Sequence, residues 1–305
     1  MTSKDHWMIK VPASTANLGP GFDSVGLAVN LYLTIEVELS HEWQFIAATS
    51  DLIKFPSNDQ HFICQVAKQI AGRKNKVLSP CKVTVSSEIP LARGLGSSAA
   101  AIVAGIELAD LIGNLELTKH EKLLFATEFE GHPDNVGASL FGGLVIGSCF
   151  ENQVEMISYP NLSFEVVVVI PQEELLTKVA REVLPNVLHY HEAVQASSAA
   201  NLLIAALLTK NWKLAGKMME QDLFHQPYRK PLIPYYSEIE TSAKEYGAFG
   251  VALSGAGPTL ICFTEKRNGA KLSSALQQEF PLMEVKQLSI ETKGSNVWKK
   301  ETCRN

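Results

Sequence analysis

The apolar and polar positions first fall into a clean alternation at Leu31-Tyr32-Leu33-Thr34-Ile35-Glu36-Val37-Glu38, which gives an extended strand one apolar face. Residues 7–11, 27–39 and 43–48 share this alternating or β-branched character and predict strands, mostly antiparallel. Over 59–71 the period changes to that of a helix, with Phe62, Ile63, Val66, Ala67 and Ile70 on one side and Gly72 as the stop. Residues 82–89 return to strand alternation. A glycine-containing turn after Pro90 leads into a small-residue run over 97–110, read as a buried helix closed by Gly113. Thr118 with Glu121 three residues later forms a capping box for a helix to about Glu130, which Gly131-His132-Pro133 breaks.

Strands are predicted over 142–146, 155–159 and 164–170, the last strongly apolar. The second half then gives helices over 172–184, 189–208, 212–223, 233–246 and 268–279, with strands over 249–253, 259–264 and 284–290. The class is α+β. Tyr159-Pro160-Asn161 interrupts two strands and sets a division into residues 1–160 and 161–305. The end, from Lys299-Lys300-Glu301 to Asn305, predicts a frayed terminus.

Composition narrows the function classes. With 305 residues, 46% hydrophobic and 19% charged, the chain can bury one large or two ordinary cores. No period of 20 to 50 residues repeats, which sets aside solenoids and propellers. A net charge of −5 with no basic block argues against a nucleic-acid partner. The longest aliphatic run, 202–208, is far short of the ~20 residues of a bilayer-spanning helix, and residues 1–12 lack the apolar core of a signal peptide. No membrane partner and a cytoplasmic location are expected. Cysteines 64, 81, 149, 262 and 303 are spaced too irregularly for a disulfide framework or a zinc site, so reduced, mostly buried thiols are expected. His189-Tyr190-His191 has no third ligand near it and predicts no metal site.

The most informative stretch is Pro90-Leu91-Ala92-Arg93-Gly94-Leu95-Gly96-Ser97-Ser98-Ala99-Ala100-Ala101. Its glycines let backbone N–H groups converge, and the helix that follows adds its positive dipole end, which together make an anion site suited to phosphate. A tight turn that only permits close helix packing is the alternative. Gly94-x-Gly96-x-x-Ala99 formally fits a dinucleotide pattern, but it lacks a βαβ context and an acidic residue ending a following strand. No lysine lies between Lys82 and Lys119, which excludes a Walker-type cradle and leaves backbone, the Ser97 and Ser98 hydroxyls and a metal to hold phosphates.

Three separated segments resemble the signature motifs of the GHMP kinases: residues 10–23 (Lys10-Val11-Pro12-Ala13-Ser14-Thr15-Ala16-Asn17-Leu18-Gly19-Pro20-Gly21-Phe22-Asp23), 90–100, and Ser254-Gly255-Ala256-Gly257-Pro258-Thr259. Residues 17–23 and Glu130-Gly131-His132-Pro133-Asp134-Asn135-Val136 resemble the homoserine kinases within that superfamily. The resemblance implies the two-domain GHMP fold, with a mixed, mostly antiparallel N-terminal domain and a ferredoxin-like C-terminal α+β domain. It implies ATP-dependent phosphorylation of the side-chain hydroxyl of L-homoserine on the route to threonine, a requirement for Mg²⁺, and a homodimer. Another small alcohol, mevalonate-like or a sugar, is the alternative substrate on the same fold, and a non-catalytic nucleotide or amino-acid sensor is the reading from another class.

By the same resemblance, residues 90–100 hold the ATP phosphates and Ser98 with Glu130 holds Mg²⁺, with Glu128 as a nearby competitor. Thr177 and Arg181, four apart on one helix face, and Arg229 in Pro227-Tyr228-Arg229 resemble the substrate-binding residues. Asn17, Asp23 and His132 match contacts to the amino-acid end. From the residues alone, each arginine reads more readily as a surface group than as a ligand, and His132 reads equally as a loop-packing residue. Asn135 occupies the region where mevalonate-type members carry an aspartate base. An amide cannot accept the proton, so catalysis is expected to rest on positioning and electrostatics, with Asp134 structural because neighbouring side chains point apart. His61-Phe62 stands where relatives often carry Asn-Leu, which leaves the adenine contacts open.

Overall fold

The computed structural model describes residues 6–151 and 153–300. Its first half contains β1 (Trp7–Asn17), β2 (Gly21–Leu39), β3 (Gln44–Ala47), α1 (Phe62–Arg73), β4 (Cys81–Ser87), α2 (Ser97–Gly113), α3 (Lys119–Glu130), α4 (Asp134–Phe141), β5 (Leu144–Phe150) and β6 (Gln153–Tyr159). The second half contains β7 (Phe164–Ile170), α5 (Thr177–Glu182), α6 (Tyr190–Leu208), α7 (Trp212–Met219), α8 (Gln226–Arg229), α9 (Tyr236–Glu245), β8 (Ala248–Leu253), β9 (Leu260–Glu265), α10 (Gly269–Glu279), β10 (Glu284–Leu288) and β11 (Asn296–Lys299).

The alternation in β2 does what its pattern demands. Leu31, Leu33, Ile35 and Val37 are buried while Tyr32, Thr34, Glu36 and Glu38 stay partly open. A seven-stranded sheet runs β11-β1-β2-β4-β3, with β5 on another stretch of β2 and β6 beyond it. All its pairs are antiparallel except β3 with β4. Helices α1 and α2 pack closely because Gly105 has no side chain, and a Cβ there would lie 2.7 Å from Val66 Cβ. The second sheet, β10-β7-β9-β8, is antiparallel throughout. One continuous core joins Ile9, Ile35, Val83, Ile102 and Ile106 to Val166, Val168 and Leu203 across both sheets.

Several elements differ from their sequence pattern, each for a local reason. The helix expected over 172–184 shrinks to α5, because Leu175 N–H donates to Ala92 O and the carbonyls of Pro171 and Gln172 accept from Arg93. Helix α7 stops at Met219, and Asp222 beyond it takes the N–H groups of Phe224, His225 and Gln226. Helix α4 was hidden from the pattern: residues 134–140 are all buried, so it has no polar face to mark a period. The terminus is not frayed as far as Lys300, since β11 pairs Lys299 with Trp7 and Lys300 N–H donates to His6 O; residues 301–305 lie outside the described ones. Cys64, Cys81 and Cys262 are buried free thiols and Cys149 an exposed one, with Cys303 outside the described residues. Among the described residues, no helix is long and apolar enough to cross a membrane.

Candidate active site

The turn between β4 and α2 is built from backbone. Ala92, Gly94 and Gly96 all have φ in the left-handed region, at 53°, 75° and 71°. A Cβ on Gly94 would collide with the Ser254 carbonyl oxygen and one on Gly96 with Ser14 Oγ. Gly96 is the N-cap of α2 and offers no side chain to the first turn. Ala100 N–H is bonded to Gly96 O, so the N–H groups of Ser97, Ser98 and Ala99 are left without intrahelical partners. They point a positive dipole end at the cavity beyond the loop.

The first and third motif segments close around this loop. Ser14 N–H donates to Leu95 O at 3.2 Å, and Gly255 N–H to Ala16 O at 3.2 Å. The Ser254 hydroxyl donates to Gly94 O at 2.7 Å and lies 2.8 Å from Thr15 Oγ1. Asn17 Nδ2 donates to Gly255 O, and its Oδ1 accepts from Asp23 N–H. Asn17, Leu18 and Asp23 have φ of 74°, 49° and 54°, a run of left-handed non-glycine residues held by these bonds.

Beyond the loop lies a cavity of about 380 Å³. Asn17, Asp23, Leu91, Ala92, Arg93, Gly94, Gly96, Ser97, Ser98, Glu130, His132, Asn135, Thr177, Arg181 and Arg229 all line it. Of the other residues expected to meet ATP, Leu95, Ala99 and Ala100 are buried in the core and Pro90 lines a separate groove. Arg93 borders the cavity, but its guanidinium is spent on the carbonyls of Leu91, Pro171 and Gln172, pinning the loop to the strap before α5.

At the far end two arginines converge. Arg181 makes a two-pronged bond to Asp23, Nη2 to Oδ1 at 2.8 Å and Nη1 to Oδ2 at 3.1 Å. Arg229 is 2% exposed; its Nε donates to Ala180 O at 3.0 Å and its Nη1 to Gly255 O at 2.9 Å. Burial, then the like charge of Arg181, pulls its guanidinium down to about 10, so it remains a cation at neutral pH. Both guanidinium carbons sit over the Phe22 ring, 5.6 Å and 5.4 Å from its centroid.

Nearer the loop, Ser98 Oγ donates to Glu130 Oε2 at 3.3 Å. Burial raises the Glu130 pKa, although His132, Ser98 and Arg181 oppose the rise. A hydroxyl and a desolvated carboxylate without a lysine partner are hard oxygen donors of the kind a divalent cation takes. Glu128 instead faces away to pair with Arg73. Asp134 and Asn135 both line the cavity, contrary to the expectation that they point apart, because they open α4 and Asp134 Oδ1 turns back to accept from Asn135 N–H. His132 Nδ1 shares the same Oδ1, while Oδ2 is buried with no hydrogen-bond partner. Asn135 Nδ2 donates to Ser14 Oγ at 3.0 Å.

A smaller cleft of about 240 Å³ adjoins this cavity, and Phe55 lines both. Phe45, Ile53, Pro56 and His61 make it apolar. His61 stacks on Phe45 with centroids 4.2 Å apart, caps α1 through Nδ1 to Ile63 N–H, and is pushed by burial down to about 4.

Residues 61–143 match the GHMP kinases N terminal domain and residues 203–282 the GHMP kinases C terminal domain. The homoserine kinase of Bacillus licheniformis is 52% identical over 98% of each chain. The chain belongs to the homoserine kinase family of the GHMP kinases. The homoserine kinase of Halalkalibacterium halodurans is 48% identical, over 95% of this chain and 94% of its own. The crystal structure of homoserine kinase from Cytophaga hutchinsonii has a TM-score of 0.86 at 26% identity, covering 98% of this chain and 99% of that one. Family membership makes the chain a kinase, an enzyme with ATP as a substrate.

Around this cavity of the homoserine-kinase family member several residues were not foreseen. Phe22, Lys54 and Phe55 line the cavity, Ser14 and His225 support the lining residues Asn135 and Arg229, and Asp222 in turn holds the His225 backbone. Lys54 and Phe55 lie in the irregular loop before α1, where no periodicity singles them out.

Proposed function

We propose that this chain transfers the γ-phosphoryl group of ATP to the side-chain hydroxyl of L-homoserine, giving O-phospho-L-homoserine for threonine synthesis. The observation that carries the reading is one cavity with an N–H-lined glycine loop at one end and two arginines beside an aspartate at the other. The loop residues 90–100 bind the phosphates mainly through backbone, Ser97 and Ser98. Adenine occupies the adjoining apolar cleft, where neutral His61 presents a face for stacking. Ser98 and Glu130 would hold Mg²⁺, which when bound neutralises phosphate charge.

The substrate is a zwitterion with an alcohol. Arg181 and Arg229 supply a fork for its carboxylate, Asp23 an anion for its ammonium, and Thr177, Asn17 and His132 hydrogen bonds. In the free protein Arg181 and Asp23 neutralise each other, so a zwitterion replaces one internal ion pair by two external ones. A molecule with a single charge would leave one partner bare in a half-buried site. Asn135 orients the hydroxyl without acting as a base, and the proton passes to a phosphate oxygen, directly or through water. Residues 1–160, completed by β11, form the nucleotide half and also lend Asn17, Asp23 and His132 to the amino acid, while 161–305 supply Thr177, Arg181 and Arg229, in a cytoplasmic homodimer.

The test is ADP release with Mg·ATP on L-homoserine, L-serine, L-threonine, mevalonate and galactose, with a control lacking metal. Saturable, metal-dependent turnover on homoserine alone is expected. Turnover on mevalonate or galactose in its place would discard the substrate assignment, and no turnover on any of them would favour a sensor.

A further inference from the structure

Between the Gly19 turn and Arg229 lies an imidazole that phosphoryl transfer leaves unused. His225 is fully buried, and its ring stacks on Phe22 with centroids 5.4 Å apart. Its two nitrogens face opposite kinds of partner. Nε2 lies 3.0 Å from the Gly19 carbonyl oxygen and 3.2 Å from Asp222 Oδ2, while Nδ1 lies 3.3 Å from Arg229 Nη1. A carbonyl oxygen only accepts and a guanidinium only donates. One tautomer satisfies both: Nε2 carries the proton and donates to Gly19 O, and bare Nδ1 accepts from Arg229. A second proton would set N–H against N–H and cation against cation. Burial and the charge of Arg229 accordingly hold the imidazole down to about 3.

The consequence falls on Arg229. Its Nε is bonded to Ala180 O, and the two hydrogens of Nη1 go to Gly255 O and His225 Nδ1. Among the described residues Nη2 has no hydrogen-bond partner, and Arg229 lines the cavity. Ala180 O holds the guanidinium at Nε and Gly255 O holds it at Nη1; His225 ties it to the turn that carries Asn17 and Asp23.

We propose that His225 is a positioning residue for amino-acid recognition, bridging Gly19 and Arg229 so that the carboxylate fork and the ammonium site keep their separation. This rests on the reading that Arg229 takes the substrate carboxylate. The test compares L-homoserine with 3-aminopropan-1-ol, the same amino alcohol without its carboxylate, in wild type, His225→Phe, His225→Gln and Arg229→Gln. His225→Phe keeps a ring on Phe22 but has no nitrogens. Its KM for homoserine is expected to rise at least tenfold, its KM for ATP to stay within twofold, and the preference for homoserine over the decarboxylated alcohol to fall at least tenfold. His225→Gln, which keeps a donor and an acceptor, is expected to restore part of that preference and carries the test if the Phe variant does not fold. Where turnover of the analogue is too slow, Kd from titration calorimetry replaces kcat/KM. Equal losses on both substrates would mean a merely structural histidine and overturn the proposal. An unchanged preference in Arg229→Gln would instead overturn the carboxylate reading; a collapse there with none in His225→Phe would overturn only the positioning role.

Discussion

The two ends of the cavity are made of different material. The end proposed for phosphate is backbone: a continuous turn with left-handed φ at Ala92, Gly94 and Gly96, followed at once by the first turn of α2. The end proposed for the amino acid is side chain: Asp23, Arg181 and Arg229 come from three segments up to 206 residues apart, the two arginines meeting over Phe22 and Asp23 pairing with Arg181. A backbone site tolerates changes of side-chain chemistry but not an added Cβ. A side-chain site tolerates neither loss of a charge nor a shift in its supports.

The largest effect should come from adding one carbon to the backbone end. Gly94→Ala sets a methyl against the Ser254 carbonyl oxygen at φ 75°, and kcat/KM for ATP is expected to fall by more than 100-fold, read by steady-state kinetics. Retained ATP affinity would break the contrast between the two ends. Arg229→Gln removes a buried cation from the other end, and the loss of one charge-assisted bond, about 2–4 kcal/mol, should lower kcat/KM for homoserine by roughly 30- to 1,000-fold while sparing KM for ATP. An increase confined to the ATP KM would contradict the assignment of ends.

Glu130→Gln sharpens the boundary between them. It should move the Mg²⁺ dependence of turnover to higher concentration by at least tenfold with little change in homoserine KM, seen in a metal titration. Asp134→Asn should leave turnover within about tenfold of wild type, because the reading needs no base. Abolished turnover with fold and substrate binding intact would sink the proton route through phosphate. The smallest effect concerns stability. His61 titrates near 6.5 when unfolded and near 4 when folded, so its contribution is complete above 6.5 and is lost as pH falls toward 4. The total is on the order of 3 kcal/mol. Denaturant melts between pH 7 and 4.5 should show a shallower decline for His61→Asn, which keeps an N-cap side chain but no titrating group.

How much could be read from the chain follows the same division. The glycine turn, the Thr118 capping box and the β2 alternation are local patterns, and all three stand in the structure. Thr177 and Arg181 were picked out by resemblance to the family's substrate segment, and α5, although shorter than its pattern suggested, brings both to the cavity wall. Helix α4 was not, since a helix buried all round has no amphipathic period. Phe22 and His225 escaped notice because a phenylalanine and a lone histidine carry no signal until folding brings α8 onto the Gly19 turn. Contacts across 206 residues of chain belong to the tertiary structure alone.

The central claim, that the amino-acid end reads both charges of its substrate, is most directly tested by comparing kcat/KM for L-homoserine with that for 4-hydroxybutyrate, which lacks the ammonium, and 3-aminopropan-1-ol, which lacks the carboxylate. Each missing charge strands a partner, Asp23 or the arginines, and should lower kcat/KM by about 100-fold or more. Values within tenfold of homoserine for either analogue would contradict the account.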